Sequence, residues 1–404
     1  MSDPTTEPLP EVLNRVSQVI ELASSQLVER RLLFELVVLG LITQEHVLFV
    51  GPPGTGKSAA VKVAARQFSG QYFEYLIGRF TEPSELFGAL DLAALKEGEV
   101  RPVTRNMLPE ANISFLDEIF LGSTAILNTL LGVLNERVYR RGAYECKVPL
   151  WSCVAASNAL PEDPMLQAFA DRFLLTSFVE PVSEENLGDL LASGWRQAQV
   201  ELSNDEAEET AQLSAQDLAL LTDAVSNVVL SDIVEPYAHI VRKLRIGGLA
   251  LSDRRLIKGQ KLIAAAALLA GRTEATVADL WPVIYMVQDP ALQAEVKDLL
   301  AAELAKGENT LLSESVKQST FGPQALAADL VTYGQELLAQ KPALASDPGF
   351  EVWQVKLESL LTRIDAGFSG DDMPQTLSVL RTGLVASVSN DDTAPTSEVA
   401  EESA

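Results

Sequence analysis

Gly51-Pro52-Pro53-Gly54-Thr55-Gly56-Lys57-Ser58 follows the apolar run Val47-Leu48-Phe49-Val50 and leads into Ala59-Ala60-Val61-Lys62-Val63-Ala64-Ala65. The stretch meets the pattern G-x-x-x-x-G-K-[ST] in the context that gives it meaning: strand, glycine-rich turn, helix. Small residues let such a turn aim several backbone N–H groups inward, and the helix N-terminus adds its positive end, so a pocket for anionic phosphates is expected. All eight residues are candidate nucleotide contacts. Lys57 is placed to reach the β- and γ-phosphates and Ser58 to hold Mg²⁺. A glycine-rich turn without a ligand is the plainer alternative, and the flanking strand and helix count against it.

Composition narrows the class. The chain has 404 residues, 47% of them hydrophobic, enough for two or three subdomains with real cores. A formal net charge of −25 argues against broad, sequence-independent binding to nucleic acid or anionic lipid, which needs surplus Lys and Arg facing phosphate. Cys146 and Cys153 are the two cysteines, with no C-x-x-C pair, so buried free thiols in a reducing compartment are expected instead of a zinc site or disulfide framework. The N-terminus is polar and acidic, unlike an export signal. The most apolar helix, near residues 32–42, is interrupted by Glu35 and falls short of the ~20 residues a membrane span needs. No transmembrane segment and a cytoplasmic location are therefore expected.

Along the chain, short β-rich runs at 46–50, 73–77, 113–116, 150–155 and 174–179 alternate with helical stretches, which predicts a parallel sheet covered by helices on both faces. Two helices broken at Ser24-Ser25 precede it, over residues 12–44. Two stretches interrupt the alternation: 80–107, a loop or hairpin inserted into a helix, and 135–147, a hairpin turning near Arg141-Gly142. Beyond Pro181 helices dominate, at 184–197, 215–229, 233–244, 253–270 and 277–287, with an acidic connector at 204–210. The division expected is a disordered leader (1–11), an α/β nucleotide-binding subdomain (12–181), a helical lid (182–290), a helical C-terminal region (291–389) and a disordered acidic tail (390–404).

Chemistry concentrates in four further places. Ile113-Ser114-Phe115-Leu116-Asp117-Glu118 is an apolar strand ending in two carboxylates, about 60 residues past Lys57, where a phosphate-binding loop needs a metal-binding Asp. Asp117 takes the metal and Glu118 the proton of an attacking water; the plainer alternative is a solvated helix cap. Asn158 ends the strand Trp151–Ser157 and is placed to orient that water, although asparagine after a strand is often only a turn residue. Arg172 stands ahead of the fifth strand. An arginine supplied by a neighbouring subunit can raise phosphoryl-transfer rates by ~10³–10⁵, while a salt bridge to Asp171 or Glu180 is the structural alternative. Arg254 projects from the first turn of a helix capped by Ser252 or Asp253, where a cation is unfavourable unless an anion such as phosphate faces it.

Taken together, GPPGTGKS, ISFLDE, VAASN, ADRF and LSDRR, in this order and with an all-helical lid after the sheet, resemble the AAA+ ATPases and within them the MoxR group. Phe73-Glu74-Tyr75-Leu76, Leu116-Asp117-Glu118-Ile119, residues 125–131, Leu134-Asn135-Glu136-Arg137 and residues 154–158 are similar to the RavA-like branch, over about residues 12–290. The resemblance implies a P-loop AAA+ module with a parallel five-stranded sheet and flanking helices, then an all-helical lid and a helical C-terminal region. It implies that Asn158 is sensor 1, Arg172 an arginine finger acting in trans and Arg254 a sensor-2 arginine acting in cis. It further implies Mg²⁺-dependent ATP hydrolysis by a homo-oligomeric ring, a hexamer, with residues 80–107 and 137–147 facing its pore. Protein remodelling or maturation is the implied output, with a von Willebrand A-domain protein as the usual partner. Two departures stand out: 291–389 lacks the β-rich module of RavA-like proteins, and Gly56 is kept where many MoxR relatives replace it. A DNA-acting motor, supported by Arg137, Arg140 and Arg141, and a nucleotide-gated scaffold are the alternatives.

Overall fold

The structure, a computed structural model, describes residues 9–203, 213–320, 330–342 except 332 and 336, 349–368 and 373–389. Most of the expected leader, the acidic connector at 204–210 and the tail at 390–404 lie outside the described residues.

Five strands, β1 (Val47–Val50), β2 (Tyr72–Leu76), β3 (Ile113–Asp117), β6 (Ser152–Ser157) and β7 (Leu175–Phe178), form one sheet in the order β2-β3-β6-β1-β7. Every pairing is parallel, with Val50 opposite Ser157 on one side and Phe178 on the other. The expected runs thus become strands, and all four β1 residues are buried because both faces are covered. Parallel strands place all their C-terminal ends on one edge, with β1 at the point where the chain order reverses; that edge is where ligands of such sheets sit.

One face carries α1 (Leu9–Gln26), α2 (Arg31–Thr43) and α3 (Lys57–Arg66). The lid helices α9 (Ala215–Ser226), α10 (Val234–Ile246) and α11 (Asp253–Leu269) join the same core, in which Val16, Leu36, Phe49, Val61, Leu221, Ile263 and Trp281 are continuous. The reason lies in α2, buried from Leu33 to Thr43 on every side; a helix apolar all round needs cover all round, and the lid supplies the outer half. The opposite face carries α6 (Thr124–Glu136) and α7 (Pro164–Ala170) over Leu48, Leu116 and Phe173.

Several expectations shift. α1 starts at Leu9, inside the expected leader, and runs through Ser24-Ser25 to Gln26; the break comes at 27–30, where Glu29 takes φ 55°. Residues 80–107 hold two short helices, α4 (Pro83–Phe87) and α5 (Leu92–Lys96). The hairpin forms from β4 (Val138–Arg141) and β5 (Tyr144–Lys147), with Gly142 at φ 61° in its turn. Cys153 is buried as expected, whereas Cys146, on that hairpin, is only half-buried. The helix expected at 277–287 is instead two 3₁₀ segments, Val277–Asp279 and Trp281–Met286. Pro282 has no N–H for a helical hydrogen bond, and the Thr276–Asp279 capping box sets the tight turn before it.

The chain divides into two compact units, Met1–Thr320 and Phe321–Ala404. The division falls after Thr320 and not at 290, because α12 (Pro290–Leu299), α13 (Ala301–Leu304) and α14 (Ser313–Thr320) pack on the first unit. Glu35, inside α2, accepts from the N–H of Ser315 at 2.7 Å and of Glu314 at 3.2 Å. In the second unit, helices Phe350–Gly367 and Gln375–Ser389 bury Trp353, Leu357, Leu360, Leu377 and Leu384. Trp353 Nε1 donates to Leu337 O at 2.7 Å. Among the described residues no helix is long and apolar enough to cross a membrane.

Candidate active site

The loop 51–58 leaves β1 at the C-terminal edge of the sheet. Gly54 and Gly56 take φ 80° and 77°, left-handed conformations that other residues adopt only under strain. Gly51 is needed for a different reason: a Cβ there would stand 2.1 Å from Val179 O on the strand exit alongside. Nothing lies within 4 Å of a Cβ placed on Gly54, so its left-handed backbone and not crowding calls for glycine there. Lys57 Nζ donates to Gly51 O at 2.7 Å and Pro52 O at 2.8 Å, bracing the turn across its mouth. Burial draws the Lys57 ammonium below its ordinary range, against the pull of Asp117 and Glu118.

Parallel pairing of β3 with β6, and of β6 with β1, brings the other motif residues to the same edge. Ser58 Oγ donates to Asp117 Oδ2 at 2.9 Å, joining residues 59 apart in sequence. The Glu118 N–H donates to Asp117 Oδ1 at 3.0 Å. Glu118 itself takes φ 52°, ψ 44° at the start of a 3₁₀ turn, which swings its side chain out of the strand's alternation. There its carboxylate accepts a hydrogen bond from Asn158 Nδ2. Glu118 also lines an open groove of about 500 Å³ with Leu76, Phe80 and Leu121, in which Phe80 is almost fully exposed.

Arg30, which the sequence reading did not single out, belongs to this site. Its Nε donates to Thr55 O at 2.7 Å and its Nη2 to Glu180 O at 2.9 Å, so one buried guanidinium ties the loop to the exit of β7. No motif marks it, since it sits in a helix–helix break 25 residues before Thr55.

Arg172 and Arg254 stand elsewhere. Arg172 lies between α7 and β7, at the N-terminal edge of the sheet, its Nε buried without a hydrogen-bond partner. Arg254, in the first turn of α11, donates to Asn135 Oδ1 near the end of α6. One turn on, Lys258 reaches Glu45, just ahead of β1. Between Glu45 and Gly51 runs β1, whose four residues alone rise roughly 13 Å at 3.3 Å per residue. In this structure the Arg254 guanidinium is thus engaged by Asn135, at the N-terminal edge of the sheet. The physical reason is the shared core: α11 is fixed beside α2 and α9 by its buried face, and that sets its first turn at this edge.

The arginines of the hairpin region are internally satisfied. Arg137 donates to Leu134 O and Gln44 O, each at 2.7 Å, Arg140 pairs with Glu136 and Glu145, and Arg141 donates to Gly88 O. That removes the observation that supported a DNA-acting motor.

Comparison with known proteins gives the family. Residues 14–223 match the family model described as the MoxR domain in the MoxR-vWA-beta-propeller ternary systems, and residues 232–300 match that of an AAA lid domain. An uncharacterized protein of Methanocaldococcus jannaschii is 36% identical over 273 residues, 67% of this chain and 69% of the relative. Chaperone MoxR1 of Mycobacterium tuberculosis is 29% identical over 162 residues, 38% of this chain and 40% of its own length. The crystal structure of a Cytophaga hutchinsonii protein provisionally named an ATPase shares the fold with a TM-score of 0.59 at 18% identity, over 75% of this chain and 97% of the other.

Proposed function

The chain belongs to the MoxR-type AAA+ ATPases, and from that premise we propose that it hydrolyses ATP, with Mg²⁺, as one subunit of a homo-oligomeric ring that remodels a protein partner. The observation that carries this reading is the meeting of Ser58, Asp117, Glu118 and Asn158 at the mouth of the loop. Mg²⁺ takes hard oxygen ligands and keeps several waters; the Ser58 hydroxyl and Asp117 carboxylate, 2.9 Å apart, are such a pair. Bound there, the ion would neutralise charge on the β- and γ-phosphates. Lys57 exchanges its loop carbonyls for phosphate oxygens, Glu118 takes the proton of the attacking water, and Asn158 holds that water and the Glu118 carboxylate in line.

Phosphoryl transfer gains from an arginine at the γ-phosphate beyond the loop lysine. Arg172, at the far edge of the sheet, fits a role at the loop of the next copy, which supports the ring reading; Arg254 keeps its proposed role as the lid arginine that senses nucleotide. A hexamer, a cytoplasmic setting with ready MgATP, and affinity to the RavA-like branch complete the reading. The von Willebrand A-domain partner rests on the description of the matching family model. Steady-state phosphate release by purified protein tests the core of it: turnover should require Mg²⁺ and fall about 100-fold or more in Glu118→Gln, with nucleotide still bound. Turnover that survives Glu118→Gln, or none in the wild type, ends the reading.

A further inference from the structure

Residues 170–174, the turn that carries Arg172, are held by side chains from the lid. Arg255 Nη1 donates to Asp171 O at 3.1 Å, Asp171 Oδ1 at 3.3 Å and Phe173 O at 3.0 Å. Its Nη2 donates to Leu174 O at 2.9 Å and Met286 O at 2.7 Å. Gln288 Nε2 adds Ala170 O at 2.6 Å and Phe173 O at 3.4 Å. The carbonyls on both sides of Arg172 are thus gripped by two lid residues.

This is a costly way to close a core. Arg255 is 3% exposed, and among the described residues its one carboxylate contact is a long one to Asp171. Burying a cation carries a penalty of several kcal/mol unless its donors are well placed. The planar fork supplies that placement, because its donors diverge at fixed angles toward several acceptors, which an ammonium cannot match. Arg254, the neighbouring residue in the same helical turn, reaches Asn135 at the same edge of the sheet. One rigid turn of α11 therefore sets the position of Arg254 and the backbone that presents Arg172.

We propose that Arg255, assisted by Gln288, is the positioning residue for Arg172, so that the lid of one subunit sets the arginine it presents to the next subunit's phosphates. The proposal rests on the reading that Arg172 acts in trans. Arg255→Lys keeps the charge and loses the fork, and Gln288→Ala removes only the second grip. Expected are turnover losses of about 10-fold and about 3-fold respectively, with less than twofold change in affinity for a fluorescent ATP analogue, since each subunit's own loop is untouched.

The deciding measurement mixes each variant with Glu118→Gln subunits, which bring an intact Arg172 and no base of their own. Turnover per Glu118-bearing subunit should rise partway above that of the variant alone for Arg255→Lys and Gln288→Ala, as for Arg172→Ala run in parallel. Full turnover in Arg255→Lys, or recovery confined to the Arg172→Ala mixture, overturns the positioning role and leaves the trans arginine standing. No recovery even for Arg172→Ala overturns the trans reading and this proposal with it. If Arg255→Lys fails to fold, Gln288→Ala carries the same comparison.

Discussion

Arg30 does at the residue scale what the loop's own sequence does not provide for. A turn with two left-handed glycines gains conformational freedom when unfolded and needs bracing when folded. Lys57 braces it from inside and Arg30 from outside, through the buried carbonyl of Thr55. Arg30→Ala leaves the carbonyls of Thr55 and Glu180 without their donor, at a cost of about 1–3 kcal/mol. Affinity for a fluorescent ATP analogue should drop about 5-fold or more, with a lowered denaturation midpoint. An unchanged affinity would show that the loop holds its shape without the clamp. By contrast, Lys57, Ser58, Asp117 and Glu118 were legible in the sequence, because phosphate and metal chemistry restricts which residue types can stand at those spacings.

Elements tell a different story, in which patterns predicted existence better than company. The strands were legible from short apolar runs, while the lid's union with the α1–α2 face was not, since periodicity shows that a helix has an apolar side and not what covers it. Glu35 illustrates this: in sequence it interrupts an apolar helix, and in the fold it is the acceptor that docks α14 on α2. Glu35→Ala orphans the two N–H groups of α14 and the Nε of Arg31, and should destabilise the first unit by about 2–4 kcal/mol in denaturant titrations. Burial holds the Glu35 carboxyl above its ordinary value of 4.5, against hydrogen bonds from Ser315, Arg31 and Glu314. A raised carboxyl favours the folded state below that ordinary value and loses the contribution as pH rises through its folded value. Wild type should therefore gain stability relative to Glu35→Gln as pH is lowered from neutral toward 4; a constant difference would contradict it.

For the whole molecule, the proposal that the active site is shared between copies predicts that turnover depends on assembly. Specific activity should rise with protein concentration through the range where the oligomer forms, tracked by light scattering. A specific activity that is flat across that transition would mean each chain is complete by itself. The net charge of −25 and the internally paired Arg137, Arg140 and Arg141 also predict that added DNA leaves turnover unchanged.

The sequence by itself determined the loop, the strand carboxylates and the five parallel strands, because each is written in local spacing, where backbone geometry and phosphate chemistry tolerate few alternatives. Only the tertiary structure decided which edge of the sheet each arginine occupies. Arg254 and Arg255 are adjacent in a helix, yet one reaches Asn135 on α6 and the other is buried beneath Arg172. Their places follow from how α11 packs on α2 and α9, a long-range fit of apolar surfaces that no local pattern encodes.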